Sequence, residues 1–308
     1  DVFSSFIPLG DKDNKENKQT FFVPFYSRGL ATARDAWCYN ASKIKLTENI
    51  KHTITFYNSL VQSKKEKRLL PGISGRDISM TRAFQSDLEK EREKTFHNDA
   101  ICTALYRPFN KTNYFHPSLN EMVYKMLSIF PENDSHNVVI CLPGVGGRWV
   151  EFSPFMVNGI PDLHLHNDGS QCFPLYYYEK KSIYQPTLFD GESNAKYMRK
   201  DGITNFILER CRENYGPKVT KEDIFYYVYG LLHSPDYRKT FAADLKKMLP
   251  RLPLVEKPVD FWAFSKAGRA LAELHLKYET QPACPKVKVE GVESGNFRVE
   301  KMRFPNKG

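Results

Sequence analysis

Pro161-Asp162 followed by Glu179 and Lys181 is this sequence's nearest approach to a hydrolytic centre. Two carboxylates placed this way can hold a magnesium ion while the lysine polarises the attacking water. The pattern is short and arises readily in a basic chain, so it supports only a rival reading, a Mg-dependent endonuclease using Asp162, Glu179 and Lys181. His164 and His166 fall on one side of an extended stretch, with Asp162 and Asp168 close by. They lack a third ligand at metal spacing. The six cysteines are spread along the chain with no CxxC pair and no clustering with histidine, so they read as reduced thiols in the cytoplasm. No metal site is expected.

Other chemistry is missing in the same way. There is no GxxxxGK[ST] phosphate loop, no GxSxG nucleophile elbow, and no Asn/Asp-Pro-Pro-Tyr/Phe segment of the kind amino-methyltransferases use to hold a flipped base. Gly144, Gly146 and Gly147 lack dinucleotide-binding spacing and read as a turn. The sequence therefore predicts no catalysis by this chain.

What stands out instead is arginine set among polar and aromatic residues in loops. Arg28 and Arg34 share one glycine-containing loop, Arg68 ends a run of lysines, Arg76 and Arg82 lie close together, Arg107 sits beside Tyr106, and Arg148-Trp149 follows the glycine turn. Arginine and lysine neutralise phosphates, and arginine also reads guanine edges in the major groove. The formal net charge of +9 suits a polyanionic partner. Each arginine taken singly reads equally as a solvated surface charge or as the partner of a nearby carboxylate, as Arg34 with Asp35. The loops as a group carry the DNA-binding expectation: Arg28, Arg34, Arg68, Arg76, Arg82, Arg107, Arg148 and Trp149.

These side chains need a scaffold. Residues 20–26 are aromatic and β-branched and predict a strand. Apolar residues at Ile44, Leu46, Ile50, Ile54, Tyr57, Leu60 and Val61 predict a helix over 43–67, with a basic end that suits its dipole. A second helix is expected over 79–94 and a short amphipathic one over 119–129. Residues 101–106, 138–142, 155–157 and 172–178 read as strands. Helices are expected around 203–211 and over 224–233, 237–248 and 267–278, with Ser234-Pro235 as an N-cap and first-turn proline. Residues 297–304 suggest one last strand. The expected class is α+β, a mixed-sheet portion with flanking helices over 1–180 and a mainly helical portion over 181–308. No run reaches the roughly 18 apolar residues of a membrane span. The chain opens at Asp1 and is expected to be a piece of a longer polypeptide cut at both ends.

Several segments, in order, resemble one known family. Residues 25–40 carry Ser27, Gly29, Leu30, Thr32, Arg34, Asp35, Trp37, Tyr39 and Asn40 at the spacing found in type ISP restriction-modification enzymes. Tyr106-Arg107-Pro108-Phe109, Phe173-Pro174-Leu175-Tyr176, the run 226–238 (YYVYGLLHSPDYR), residues 249–253, Gly268, residues 274–279 and Lys301-Met302-Arg303-Phe304 follow in register with the same family. The resemblance implies the C-terminal target-recognition domain of a polypeptide that also carries a nuclease, a translocase, a coupler and an N6-adenine methyltransferase. It implies double-stranded DNA and those neighbouring methyltransferase and coupler domains as partners. S-adenosylmethionine, ATP and magnesium would then belong to the other domains, with no cofactor here. It also implies that shared motifs build the frame while unshared loops, including 68–82 and 144–149, read sequence. A third reading, a docking module that reads no DNA, stays open.

Overall fold

The computed structural model describes residues 3–5, 20–70, 72, 73, 78, 80–132, 135–144, 151–167, 169–181 and 196–287. Its first half runs β1 (Phe3–Ser5), β2 (Ser27–Arg28), α1 (Asp35–Cys38), β3 (Tyr39–Asn40), α2 (Lys43–Lys65), α3 (Arg82–Glu89), β4 (Ile101–Arg107), β5 (Asn110–Phe115) and α4 (Met126–Ile129). There follow β6 (Val139–Pro143), β7 (Phe155–Val157), β8 (Ile160–Pro161), β9 (Ser170–Pro174), β10 (Tyr176–Lys180) and β11 (Tyr197–Asp201). The last part is α5 (Asn205–Tyr215), α6 (Lys221–Leu232), α7 (Pro235–Thr240), α8 (Ala242–Leu245), β12 (Arg251–Pro253) and α9 (Pro258–Leu276). The class is α+β. Two units separate along the chain, residues 1–276 and 277–308; in the second, the described part holds one 3-10 turn at Tyr278–Thr280.

Helix α2 forms where its apolar spacing predicts, capped by the Ser42 hydroxyl, which accepts from the Lys45 amide at 3.3 Å. Its buried face (Leu46, Ile50, Ile54, Tyr57, Leu60, Val61) belongs to a core that also contains Ile101, Ala104, Tyr114 and Phe115 of the sheet β3-β5-β4-β8. That sheet is mixed, because β4 pairs with β8 in parallel and with β5 in antiparallel. A second sheet, β2-β9-β6-β7, is antiparallel throughout, and all five residues of both β6 and β9 are buried. Strand β6 is a continuous apolar run, as a strand buried on both faces should be; β9 opens on Ser170 and Gln171, and the strand predicted over 172–178 breaks at Leu175 into the end of β9 and the start of β10.

A second core joins Phe21, Phe22, Ile140, Leu142 and Phe173 to the helices α5, α6 and α9. Helices α6 and α9 cross so closely that a Cβ on Gly230 would overlap the Phe264 carbonyl, and one on Gly268 the Tyr226 carbonyl. Three tyrosines from this region hold the segment around β12 through its carbonyls: Tyr215 to Val255 at 2.6 Å, Tyr227 to Pro253 at 2.6 Å and Tyr237 to Arg251 at 2.7 Å. Each satisfies a phenol that burial would otherwise make costly.

The structure departs from the predicted elements at identifiable places. Residues 119–129 are helical only at Met126–Ile129, because the Glu121 and Met122 amides both bond the Ala31 carbonyl and Met122 returns its own carbonyl to the Ala31 amide. Residues 20–26 form isolated bridges at Thr20 and Phe22, the latter to Ile203, rather than a strand, and Pro24 has no amide to donate; the paired strand begins at Ser27. Residues 237–248 split into α7 and α8, and α9 begins at Pro258, nine residues before the predicted start. Strand β11 had no apolar signature, and β5 showed one only at its end, Tyr114-Phe115. The expected strand at 297–304 lies outside the described residues.

Candidate nucleic-acid interface

Arg34 is turned inward and only 3% exposed. Its guanidinium donates to the Leu119 carbonyl and the Thr81 hydroxyl, and its plane lies 3.8 Å from the centre of the Phe84 ring. Burial pulls its pKa down to about 10, partly offset by Cys38 and Glu121, so it stays charged at neutral pH. The side chain ties three chain segments together through its two terminal nitrogens, while its Nε is buried without a partner among the described residues.

A second node gathers on Asp162, whose buried carboxylate accepts from the Tyr39 hydroxyl at 2.9 Å, from an Arg107 guanidinium nitrogen at 2.8 Å and from the His164 amide at 2.8 Å. Its pKa is raised, burial outweighing the donors that stabilise the ionised form. Asp35 takes the Thr32 hydroxyl and, at 2.9 Å, the Tyr106 hydroxyl. Arg107 stacks 3.8 Å from the Tyr106 ring centre and reaches Asp35 at 3.6 Å, so it stands between the two carboxylates. Gly29 completes the node, because any side chain there would strike the Asp162 carbonyl. Three segments read separately in the sequence, 25–40, 106–109 and 161–162, thus meet in one hydrogen-bonded frame.

The hydrolytic alternative finds its two carboxylates on different elements and engaged with other partners. Asp162 is occupied as described, whereas Glu179 lies on β10 and pairs with Lys200 at 2.5 Å. Lys181 is exposed just past the end of β10. His164 and His166 do not share a side. The segment is a 3-10 turn at Leu163–Leu165, with His164 exposed and His166 buried between the Ser170 hydroxyl at 3.0 Å and the Ser153 carbonyl at 2.7 Å. Burial lowers the His166 pKa to about 4. Among the described residues, no three His, Cys, Asp or Glu side chains gather as metal ligands.

The remaining arginines separate by exposure. Arg28 on β2 is exposed; Arg68 follows the C-terminal end of α2 and pairs with Glu66; Arg82 has 90% of its side chain in solvent, 3.5 Å from Glu121. Arg76, Arg148 and Trp149 lie outside the described residues. One basic element went unread in the sequence, the ribbon β10–β11. Its strand β11 is charged and half-exposed, and Lys181 drew notice only as the lysine of the hydrolytic pattern. Five cations against two carboxylates in residues 176–181 and 196–201 were the available signal.

Motif residues folded inward as a frame, with cations carried on loops and a ribbon, define a basic α+β recognition module. The family model of the Type ISP C-terminal specificity domain matches residues 21–308, and the chain belongs to that family. Among solved structures it is similar to a nuclease-deletion mutant of the Type ISP restriction-modification enzyme LlaGI in complex with a DNA substrate mimic, at 29% identity and a TM-score of 0.76 over 99% of this chain. It is equally similar to the ATP-dependent Type ISP enzyme LlaBIII bound to DNA, at 32% identity and a TM-score of 0.76 over 100% of this chain. A DrdV–DNA complex matches at 30% identity and a TM-score of 0.75 over 91% of this chain. The chain spans only 22%, 18% and 26% of those three chains. No curated protein matches.

Proposed function

We propose that this chain reads the target sequence in duplex DNA on behalf of a longer Type ISP restriction-modification polypeptide and catalyses no reaction itself. The observation that carries this reading is the family match over residues 21–308, joined by the same domain in relatives of about 30% identity whose structures are DNA complexes. Methyltransferase and coupler domains of the same polypeptide are its partners. S-adenosylmethionine, ATP and magnesium act in those other domains, and the location is cytoplasmic. No helix among the described residues is long and apolar enough to cross a membrane.

Arg28, Arg68 and Arg82 face solvent and are placed to meet phosphates or base edges, with Arg76, Arg148 and Trp149 added from the sequence alone. Arg34 and Arg107 act by positioning the loops that carry the others. The test is fluorescence anisotropy of the 308-residue chain with duplex DNA over a range of KCl. Affinity should fall steeply and log-linearly with salt; salt-insensitive or absent binding overturns the reading. Exchanging segments 68–82 and 144–149 with a relative's should change the site methylated by the full enzyme.

A further inference from the structure

The ribbon β10–β11 is a two-stranded antiparallel sheet that pairs with no third strand among the described residues. Its register sets Tyr177 opposite Lys200, Tyr178 opposite Arg199, and Lys180 opposite Tyr197; beyond the last pair the Lys181 amide still bonds the Lys196 carbonyl at 3.2 Å. The base of the ribbon is fixed. The Asn137 side chain bonds both the amide and the carbonyl of Tyr176, at 3.2 and 2.7 Å. Tyr177 stacks on Phe25 with centroids 4.6 Å apart, and Gly202 packs too tightly against the Pro174 carbonyl to carry a side chain.

The far half is different. Glu179, Lys180, Lys181, Lys196, Met198 and Arg199 are all exposed. Both carboxylates of the ribbon are neutralised at home, Glu179 by Lys200 at 2.5 Å and Asp201 by Lys221 at 2.9 Å. Lys180, Lys181, Lys196 and Arg199 pair with no carboxylate among the described residues, so the described far half of the ribbon carries net positive charge. Four half-buried or stacked tyrosines and the Arg199–Tyr176 stack at 4.2 Å stiffen it.

We propose that the β10–β11 ribbon is the element that enters the major groove of DNA, with Lys180, Lys181 and Lys196 holding phosphates on the groove walls. Dimensions allow it. Five paired residues per strand extend about 17 Å at roughly 3.4 Å each, against a groove about 8.5 Å deep and about 12 Å wide that admits a two-stranded ribbon. A rigid base with a net cationic far half, whose one carboxylate Glu179 is already paired with Lys200, suits insertion between two phosphate rows, because every unpaired cation there displaces counterions.

The inference rests on the DNA reading above, and the experiment separates the two. Binding of the full chain to duplex DNA is measured against KCl for wild type, for Lys180→Gln/Lys181→Gln/Lys196→Gln, and for a control, Lys239→Gln/Lys246→Gln/Lys247→Gln, exposed lysines of the α7–α8 region. The ribbon variant should lower the slope of log affinity against log salt by about 2.7, at about 0.9 per lost phosphate contact, while the control keeps the wild-type slope. The single variant Lys181→Gln should remove about one unit and serves if the triple variant fails to fold. Wild-type salt dependence unchanged in both ribbon variants overturns the ribbon and leaves DNA reading intact. An equal loss in the control also overturns it. A wild type that binds no DNA overturns both.

Discussion

Arg107 stands between Asp35 and Asp162, and its removal tests what the frame depends on. Arg107→Ala leaves the buried Asp162 carboxylate without its cation, with the Tyr39 hydroxyl and one amide as donors. Breaking a fully buried ion pair costs about 3–5 kcal/mol; the partial exposure of Arg107 brings the expected loss to about 1–3 kcal/mol, read as a lower urea midpoint with an unchanged m-value. The histidines make a separate prediction about pH. Burial holds His116 and His166 down to about 4, and burial together with Arg238 and His275 holds His233 down to about 3. Their folded pKa values lie below the ordinary 6.5, so the unfolded chain takes up protons first on acidification. The stability they confer is therefore complete above pH 6.5 and declines as pH falls toward 4. Urea midpoints should drop between pH 7.5 and 5.5, a window above the titration of the lowered carboxylates Asp87, Glu121 and Asp223. A flat profile would contradict the burial of these imidazoles.

At the scale of elements, the crossing of α6 and α9 is set by the absence of two side chains. Gly268→Ala pushes a methyl group into the Tyr226 carbonyl, so the helices must separate, at a cost of about 2–3 kcal/mol. That corresponds to a fall in Tm of about 5 °C in scanning calorimetry. Gly72→Ala, where the added atom meets nothing, should leave Tm unchanged. Elements were legible in the sequence where burial wrote a pattern. The apolar stripe of α2, the buried strand β6, and the Ser234-Pro235 start of α7 all follow from local rules, whereas β9 was legible only from Cys172 onward. Strands β5 and β11 were invisible because most of their residues face solvent or sit half-exposed, and their pairing is decided by neighbours far along the chain. The short helix expected over 119–129 lost to Ala31, which took its amides. The site was legible only in part for the same reason. Arginine is written identically whether it meets solvent, like Arg82, or closes a core, like Arg34; only tertiary placement separates them.

For the molecule as a whole, the two hydrophobic cores interleave along the chain: Phe21 and Phe22 belong with the helices, while Leu30 and Cys38 belong with α2 and the mixed sheet. The N-terminal part of the chain therefore stitches both cores, and proteolysis of the folded protein should cut exposed loops before separating them. If DNA binds the folded form alone, added duplex should raise Tm in proportion to RT ln(1 + [DNA]/Kd), more at 50 mM salt than at 200 mM. A Tm indifferent to duplex at both salts would count against DNA as the ligand.

The inward turn of Arg34 and the pairing of Arg107 with Asp35 and Asp162 have an evolutionary consequence. Because the frame satisfies its own charges, replacing a surface cation costs the fold almost nothing, and replacing a frame residue costs it a great deal. Variation can therefore accumulate on the reading surface while the scaffold is inherited unchanged, so that a lineage of such domains can acquire new target sequences by a few outward-facing changes without passing through an unfolded ancestor.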